Sequence, residues 1–344
     1  MIPIHDTDQL TVGIPVCNAM PHLRETMESL LGQTVSRFQI LALVDGGTDE
    51  SLAYLCSIRD RRLRVLVQPN QGVTATLNRM LRECQTPWLV RQDADDVSHP
   101  HRLARIAGAV RHRPEAGMFY SLANYHPRGR AVGSFRCSRG TPQELRDLVS
   151  SGYLLAICHS TVVLSVRKTL EVGGYRLGMH NEDADLWWRM ALEHDIHCIP
   201  EELVGFRQSS SSVSSKNLGE QQLAALYVQY RLLSYLWRLP PRSMEDVREH
   251  LEALLSHRDL RAKERLRAFN MDLAARRRRD AALALFAAFG ASPAFLLRRL
   301  GDELFSKRRI VNGIAPRLYL KRREVLWSSP PAPAQPGCPQ SLPA

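Results

Sequence analysis

Trp88-Leu89-Val90-Arg91-Gln92-Asp93-Ala94-Asp95-Asp96 is the stretch on which the reading of the fold turns. A short apolar run with strand character ends in an acidic tetrad, Asp93-Ala94-Asp95-Asp96. Open α/β sheets bind their ligands outside the carboxyl ends of the strands, so Asp-x-Asp at that point sets hard carboxylate oxygens in a ligand crevice. Such oxygens suit Mg²⁺ or Mn²⁺, which in turn suit a diphosphate. Asp is equally a turn and helix-capping residue. The tetrad therefore takes its meaning from what flanks it.

Upstream, short β-rich runs alternate with helical spacing. Leu10 to Val16 reads as a strand, and Pro21 to Gly32 places Leu23, Met27, Leu30 and Leu31 on one helical face. Phe38 to Val44 and Leu63 to Val67 are further strands, and Leu52 to Ile58 and Val73 to Leu81 are helices. Pro87 to Val90 is the strand that carries the tetrad, and Pro100 to Val110 reads as the helix behind it. Thr161 to Val166 is a later strand. This alternation predicts an α/β, Rossmann-like fold with a mostly parallel, doubly wound sheet flanked by helices.

The character changes after about Ser209. Ser209 to Ser215 is a Ser-rich, turn-like stretch, and Leu218 to Leu239 has the pattern of a long amphipathic helix. More helices follow to about Trp327. The expected organisation is a catalytic-type α/β domain over 1–216, a helical extension over 217–328 and a disordered Pro-rich tail over 329–344. Ala281 to Leu297 is uncharged and lies between Arg276-Arg277-Arg278-Arg279 and Arg298-Arg299. It is marginal in length for a bilayer span. A buried helical hairpin is the first reading and an in-plane membrane anchor the second.

The chain has 344 residues with net charge +11, and the charge is uneven. From Asn217 onward 22 Lys and Arg stand against 12 Asp and Glu, whereas the rest carries 24 against 23. An anionic membrane face is one partner for such a surface. Nucleic acid is not expected, because no nucleic-acid module accompanies the charge. The seven Cys are scattered, odd in number and without CxxC spacing, which argues for reduced thiols and against zinc or disulfides. No basic region followed by an apolar stretch opens the chain, so a cytoplasmic location is expected, with peripheral contact at the inner face of the membrane as an extension of it.

The ordered segments TVGIPVCNAMPHLRETMESLLGQT, FQILALVDGGTDES, NQGVTATLNRML, WLVRQDADDVSHPHRL, GGYR and NEDADLWWRM resemble the family-two inverting glycosyltransferases of the GT-A fold, over roughly residues 9 to 215. The resemblance implies transfer of a sugar from a nucleotide-diphosphate donor, a UDP-sugar by default, with inversion at the anomeric carbon. A saccharide or lipid-linked saccharide in surface polysaccharide assembly is the implied acceptor.

It also implies roles for particular residues. Pro15 and Asn18 line the nucleotide pocket, although Cys17 stands where the family usually has an aromatic residue. Asp45 accepts from the nucleobase, with Val44 replacing the first Asp of a common pair. Gly72 and Asn78 belong to the loop and helix that close over the nucleotide. Asp93 takes the ribose or metal side and Asp95 ligates the metal, Mg²⁺ or Mn²⁺. Such a cation neutralises the growing charge on a departing diphosphate. Inversion needs a base on the opposite face, and the matching position is Asp183, with Glu182 as the less favoured holder. Arg207 and Lys216 are candidates to reach the diphosphate on loop closure.

Each residue also has a purely structural reading. Asn18 suits a turn, Thr48 or Asp49 an N-cap, Ser98 the cap of the following helix with Asp96 in its turn, and Asn181 the cap before Glu182. His159 reads as a satisfied buried histidine. Of the adjacent Trp187 and Trp188, one belongs to the core and the other is a candidate to stack on a sugar. Two rival functions remain: a nucleotidyltransferase that forms sugar nucleotides, and a non-catalytic nucleotide-sugar-binding protein of the same fold.

Overall fold

The computed structural model describes residues 9–126, 135–176, 178, 181–207, 218–305 and 310–327. The residues expected to form the Ser-rich turn (209–215), Lys216 and the Pro-rich tail lie outside them.

Strands β1 (Leu10–Val16), β2 (Gln39–Asp45), β3 (Leu63–Gln68) and β4 (Trp88–Arg91) form as the apolar pattern predicts. Helices α1 (His22–Leu31), α2 (Ser51–Ser57) and α3 (Val73–Glu83) connect them. Both faces of β1, β2 and β4 are buried, whereas β3 at the sheet edge is half-buried. Ile40, Ala42 and Val44 of β2 face one core with Leu23, Met27 and Leu30 of α1. Leu41 and Leu43 face the other, with Leu77, Met80 and Leu81 of α3. That two-sided burial is the reason the strands read as continuous apolar runs.

Past β4 come β5 (Val97–Ser98), α4 (Arg102–His112), β6 (Met118–Tyr125), α5 (Pro142–Ser150) and β7 (Leu154–Leu155). A 3-10 turn at His159–Thr161 leads into β8 (Val162–Ser165), followed by α6 (Val166–Glu171), α7 (Glu182–Glu193) and β9 (Ile196–Phe206). The eight-stranded sheet runs β3-β2-β1-β4-β8-β6-β9-β5. Its first four strands pair in parallel, as expected. The remainder is mixed, so the sheet is mostly parallel: β6 is parallel to β9, whereas β8 is antiparallel to both β4 and β6, and β5 is antiparallel to β9. The chain goes outward from β1 to β3 and returns on the other side at β4, so the β1/β4 boundary is a topological switch point and the acidic tetrad sits at its mouth.

The C-terminal helices are α8 (Leu218–Leu236), α9 (Met244–Glu252), α10 (His257–Ala274), α11 (Arg278–Ala291), α12 (Pro293–Phe305), α13 (Arg317–Leu320) and α14 (Arg323–Trp327). Val228 and Leu232 of α8 share the core of Trp187, Trp188 and Met190. The opposite side of α8 packs Tyr227 and Tyr230 against Val247, Tyr319 and Trp327. Strand β10 (Val311–Asn312) returns to pair with β7. The expected buried hairpin takes another form. Helices α11 and α12 meet at 105°, Ala281, Ala284 and Ala288 point inward, and Leu283, Phe286 and Phe289 point out. Among the described residues no single helix is long and apolar enough to cross a membrane.

One buried arginine latches the switch-point region together. Arg102, fully buried at the start of α4, donates to Gln92 Oε1, to Ser98 Oγ at 2.9 Å and to the Arg91 carbonyl at 2.7 Å. It also donates to the Ser160 carbonyl at 2.5 Å. Ser98 is therefore buried in this network, donating to Gln92 Oε1 at 2.8 Å, and does not cap α4, whose N-cap His101 makes no side-chain cap. Removing the guanidinium strands several buried acceptors. Arg102→Met is expected to lower stability by on the order of 3–5 kcal/mol, read as a drop in the urea unfolding midpoint without a change in slope.

Candidate active site

The carboxyl ends of β1 and β2 shape the first wall. Pro15 is half-buried beside Leu43 of β2, one residue before the end of β1. Asn18 has φ 49°, and its Oδ1 accepts from the backbone N–H of Thr48 at 2.8 Å and of Asp49 at 3.3 Å. Gly47 has φ 107°, and a Cβ there would come within 3.0 Å of that same oxygen, so the turn depends on glycine. The side chain of Asn18 is thus spent on the turn, the structural reading of the two. Asp49 accepts from the N–H of Ser51 at 3.0 Å and from that of Met20 at 2.8 Å, bracing the start of α2, but the N-cap position itself is Glu50, not Thr48 or Asp49 as expected.

Asp45, at the end of β2, is 4% exposed. Its carboxylate accepts from Gln68 Nε2 at 2.7 Å and from the backbone N–H groups of Gln71 and Gly72 at 2.8 and 2.9 Å. It anchors the Asn70–Gly72 loop from beneath instead of presenting open oxygens to a base. Gly72 has φ 85° and nothing within 4 Å of its absent Cβ, which leaves the loop's outer surface clear. Asn78 is a correction. Its amide donates to the Tyr175 carbonyl at 2.7 Å and accepts from the Tyr175 N–H at 2.9 Å. It clasps the Gly173-Gly174-Tyr175 turn to α3, and both ends of the amide are occupied.

The second wall is the tetrad. Arg91, 1% exposed at the end of β4, donates to Asp93 Oδ1 at 2.5 Å and to the Gln92 carbonyl at 2.6 Å. Ser160 Oγ donates to Asp93 Oδ2 at 2.9 Å and accepts from the Asp93 N–H at 2.8 Å. Burial disfavours charge on Asp93, but the Arg91 guanidinium and the Ser160 hydroxyl outweigh it and hold its pKa below the usual range. Asp95 is half-buried, and burial together with the Asp93 charge pushes its carboxyl up to about 6. Asp96 belongs to the turn. It is 1% exposed, Oδ1 accepts from the Arg207 N–H at 2.7 Å, and Oδ2 has no partner among the described residues. Burial and its two acidic neighbours raise its pKa well above the ordinary value. Arg207 is pinned here too, donating to the Asp95 carbonyl at 2.8 Å and to Glu25. It braces the tetrad from β9 and is not a free diphosphate ligand.

The third wall is the first turn of α7. Asn181 precedes it at φ 59° without a side-chain cap, its amide donating to the Gln221 carbonyl of α8 at 3.1 Å. The capping expectation for Asn181 is therefore overturned by its left-handed backbone. Glu182 and Asp183 are half-buried and near each other. Burial and the Asp183 charge push Glu182 up to about 7, and burial with a contribution from Asp93 pushes Asp183 up to about 6. Both groups feel Asp93 and Arg91, so the two acidic clusters, remote in sequence, face one cleft. Asp185 points away, fully buried against Arg189 at 2.8 Å.

Neither tryptophan is free for a sugar: Trp187 and Trp188 are 1% and 2% exposed. Trp187 packs edge-on to His159 and Tyr175, whereas Trp188 packs against Tyr235. His159 is satisfied, its Nε2 lying 3.0 Å from the Tyr175 hydroxyl. Burial and the Arg91 charge lower its pKa to about 3, so it stays neutral.

Arg91 is the residue that sequence reasoning missed. Its signal was a cation closing an otherwise apolar strand run, a place where burial demands a carboxylate partner. Around it the cleft holds Asp93, Asp95, Glu182 and Asp183, an excess of carboxyl groups. That excess, with no cationic side chain in hydrogen-bond range of the Asp95 carboxylate among the described residues, suits a divalent cation. No three acidic, His or Cys residues among those described form a complete metal cage. One or two carboxylates, with substrate phosphates supplying further oxygens, is the usual arrangement for Mg²⁺.

The family model for glycosyl transferase family 2 matches residues 11–153. An uncharacterized glycosyltransferase of Haemophilus influenzae is 24% identical over 224 residues, 63% of this chain and 80% of the relative. The amylovoran biosynthesis glycosyltransferase AmsE of Erwinia amylovora is 27% identical over 222 residues, 61% of this chain and 79% of the relative. The crystal structure of S. aureus TarS 1–349 in complex with UDP-GlcNAc superposes with a TM-score of 0.51 at 14% identity, over 85% of this chain and 92% of that one. The last likeness is one of fold, and the sequence matches carry the resemblance to glycosyltransferases. With the switch-point crevice and its acidic clusters, the chain is similar to glycosyl transferase family 2 over residues 11–153, and its fold is that of the GT-A glycosyltransferases.

Proposed function

We propose that the protein is an inverting, divalent-cation-dependent transferase. It moves a sugar from a nucleotide-diphosphate donor, a UDP-sugar by default, to a saccharide or lipid-linked saccharide in surface polysaccharide assembly. The observation that carries this reading is the Glu182–Asp183 pair, whose raised pKa values stand across the cleft from Asp93 and Asp95. The UDP-GlcNAc bound by TarS and the amylovoran role in the name of AmsE support the donor and the pathway class.

Asp183 takes the proton of the acceptor hydroxyl as its oxygen bonds to the anomeric carbon from the face opposite the nucleotide. The anomeric C–O bond to the diphosphate breaks in the same displacement, and its electron pair leaves with the diphosphate. Glu182 lies beside it, its own proton affinity raised by burial and by the Asp183 charge. Arg91 keeps Asp93 ionised and fixed. Asp95, with Asp93 beside it, would hold Mg²⁺ or Mn²⁺, and such a cation supplies Lewis-acid neutralisation of the leaving group. A base with pKa near the operating pH combines a useful unprotonated fraction with real proton affinity.

The pH dependence follows in sign. The base must be deprotonated, so kcat/KM should rise from pH 5 through a limb at about 6 to about 7 and then level off. Stability runs the other way. Both carboxyls have higher pKa values folded than unfolded, so the stability they contribute is lost as pH rises from the ordinary carboxylate range to about 7. Asp183→Asn should therefore reduce turnover by about 10²–10⁴-fold while raising the melting temperature at neutral pH by about 2 °C or more. Glu182→Gln should shift the pH limb with a smaller loss of rate. Turnover undiminished in both variants, or a product of retained anomeric configuration by NMR, would refute the assignment.

The cation is tested separately. EDTA should abolish transfer, and Mn²⁺ or Mg²⁺ should restore it. Asp95→Asn should lower transfer at saturating cation on the order of 10²-fold or more. A thermal-shift screen of sugar nucleotides with and without cation should single out the donor, because a ligand that binds only the folded form raises its apparent stability. Pyrophosphate release from a nucleoside triphosphate would instead mark a nucleotidyltransferase.

A further inference from the structure

Helix α11 buries its small side chains and exposes its large ones. Ala281, Ala284 and Ala288 lie inward, while on the opposite side of the same helix Leu283 is 68%, Phe286 77% and Phe289 53% exposed. Helix α12 continues the surface with Leu297 at 62% and Leu300 at 54%. The corner between the helices is fixed. Ser292 Oγ donates to Asp259 Oδ1 at 2.6 Å, and Arg298 donates to Asp259 Oδ2 at 3.0 Å. The apolar face is thus held in one bent shape, and single exposed leucines elsewhere on a protein do not form such a patch. Arginines rim it. Arg276, Arg278 and Arg279 are exposed and make no ion pair among the described residues.

We propose that α11 and α12 form a docking face for an anionic lipid bilayer, with Phe286, Phe289, Leu283, Leu297 and Leu300 entering the headgroup–acyl boundary and the arginine rim meeting anionic headgroups. Aromatic and aliphatic side chains opposite a cationic border are what interfacial segments require. A second copy of the chain is the poorer occupant, since a two-fold interface on this patch would bring the two arginine rims together. A transmembrane role is excluded for these helices singly by length and by the fixed 105° bend. The face also has a bearing on the cleft. Tyr125 closes β6 beside Phe206 and Arg207, and while burial raises its phenol pKa, the charges of Arg299 and Arg267 from the helical layer oppose that rise.

The test is flotation of the full-length protein with vesicles of phosphatidylcholine alone and of phosphatidylcholine mixed with phosphatidylglycerol. Binding is expected to the mixed vesicles, weakening with salt. Arg278→Gln combined with Arg279→Gln should weaken it roughly thirtyfold. Phe286→Ser combined with Phe289→Ser should abolish it, while circular dichroism and the thermal shift by the sugar nucleotide stay as in the parent, since these residues touch neither core nor cleft. Equal binding to neutral vesicles, no binding to either, or a concentration-dependent dimer that the Phe variants dissociate would overturn the proposal. Because donor binding is read independently, loss of docking and failure of the transferase assignment are distinguishable.

Discussion

A guanidinium held out of water at the end of β4 is the constraint around which the cleft is organised. An unpaired cation at such a depth costs several kcal/mol, so Arg91 requires a carboxylate, and Asp93 supplies it at 2.5 Å. Asp93 in return stays ionised although half-buried. Burial raises Asp95, Asp96, Glu182 and Asp183, and the fixed charge of Asp93 adds to that rise in each. The ion pair thereby keeps one carboxylate charged, while burial shifts the others upward. Crowding carboxyls in this way destabilises the unliganded protein, and such local conflict is characteristic of sites kept for chemistry.

The first half of the sheet was legible because its information is local. Strands β1 to β4 are 4 to 7 residues long, apolar on both faces and bounded by turn residues, and the structure returns them with shifts of one or two positions. The second half was less so. Whether β8 runs with or against β4 depends on how α5, α7 and α8 pack, which no local pattern encodes. At the site, the residue types spoke but their partners did not. An Asp ending a strand is visible in sequence, whereas the bonds that turn Asp45 inward come from residues 23 to 27 positions away. Asn78 has its amide occupied by a residue 97 positions on. Helix α11 fails for a simpler reason. Hydropathy counts Ala and Phe alike as apolar, so it cannot say which of two apolar faces turns inward; only the close approach of α10 selects the alanines.

The left-handed residue before α7 links the two halves of the molecule. Asn181 has no capping bond of its own and is tied to the Gln221 carbonyl, while Val228 and Leu232 farther along α8 fill the core beneath Trp187. The height of Glu182 and Asp183 above the cleft floor is consequently borrowed from α8. Exchange of the C-terminal helices, as if they were a detachable module, would therefore displace Glu182 and Asp183 as well. The C-terminal helices and the first turn of α7 are mechanically geared together through a single asparagine.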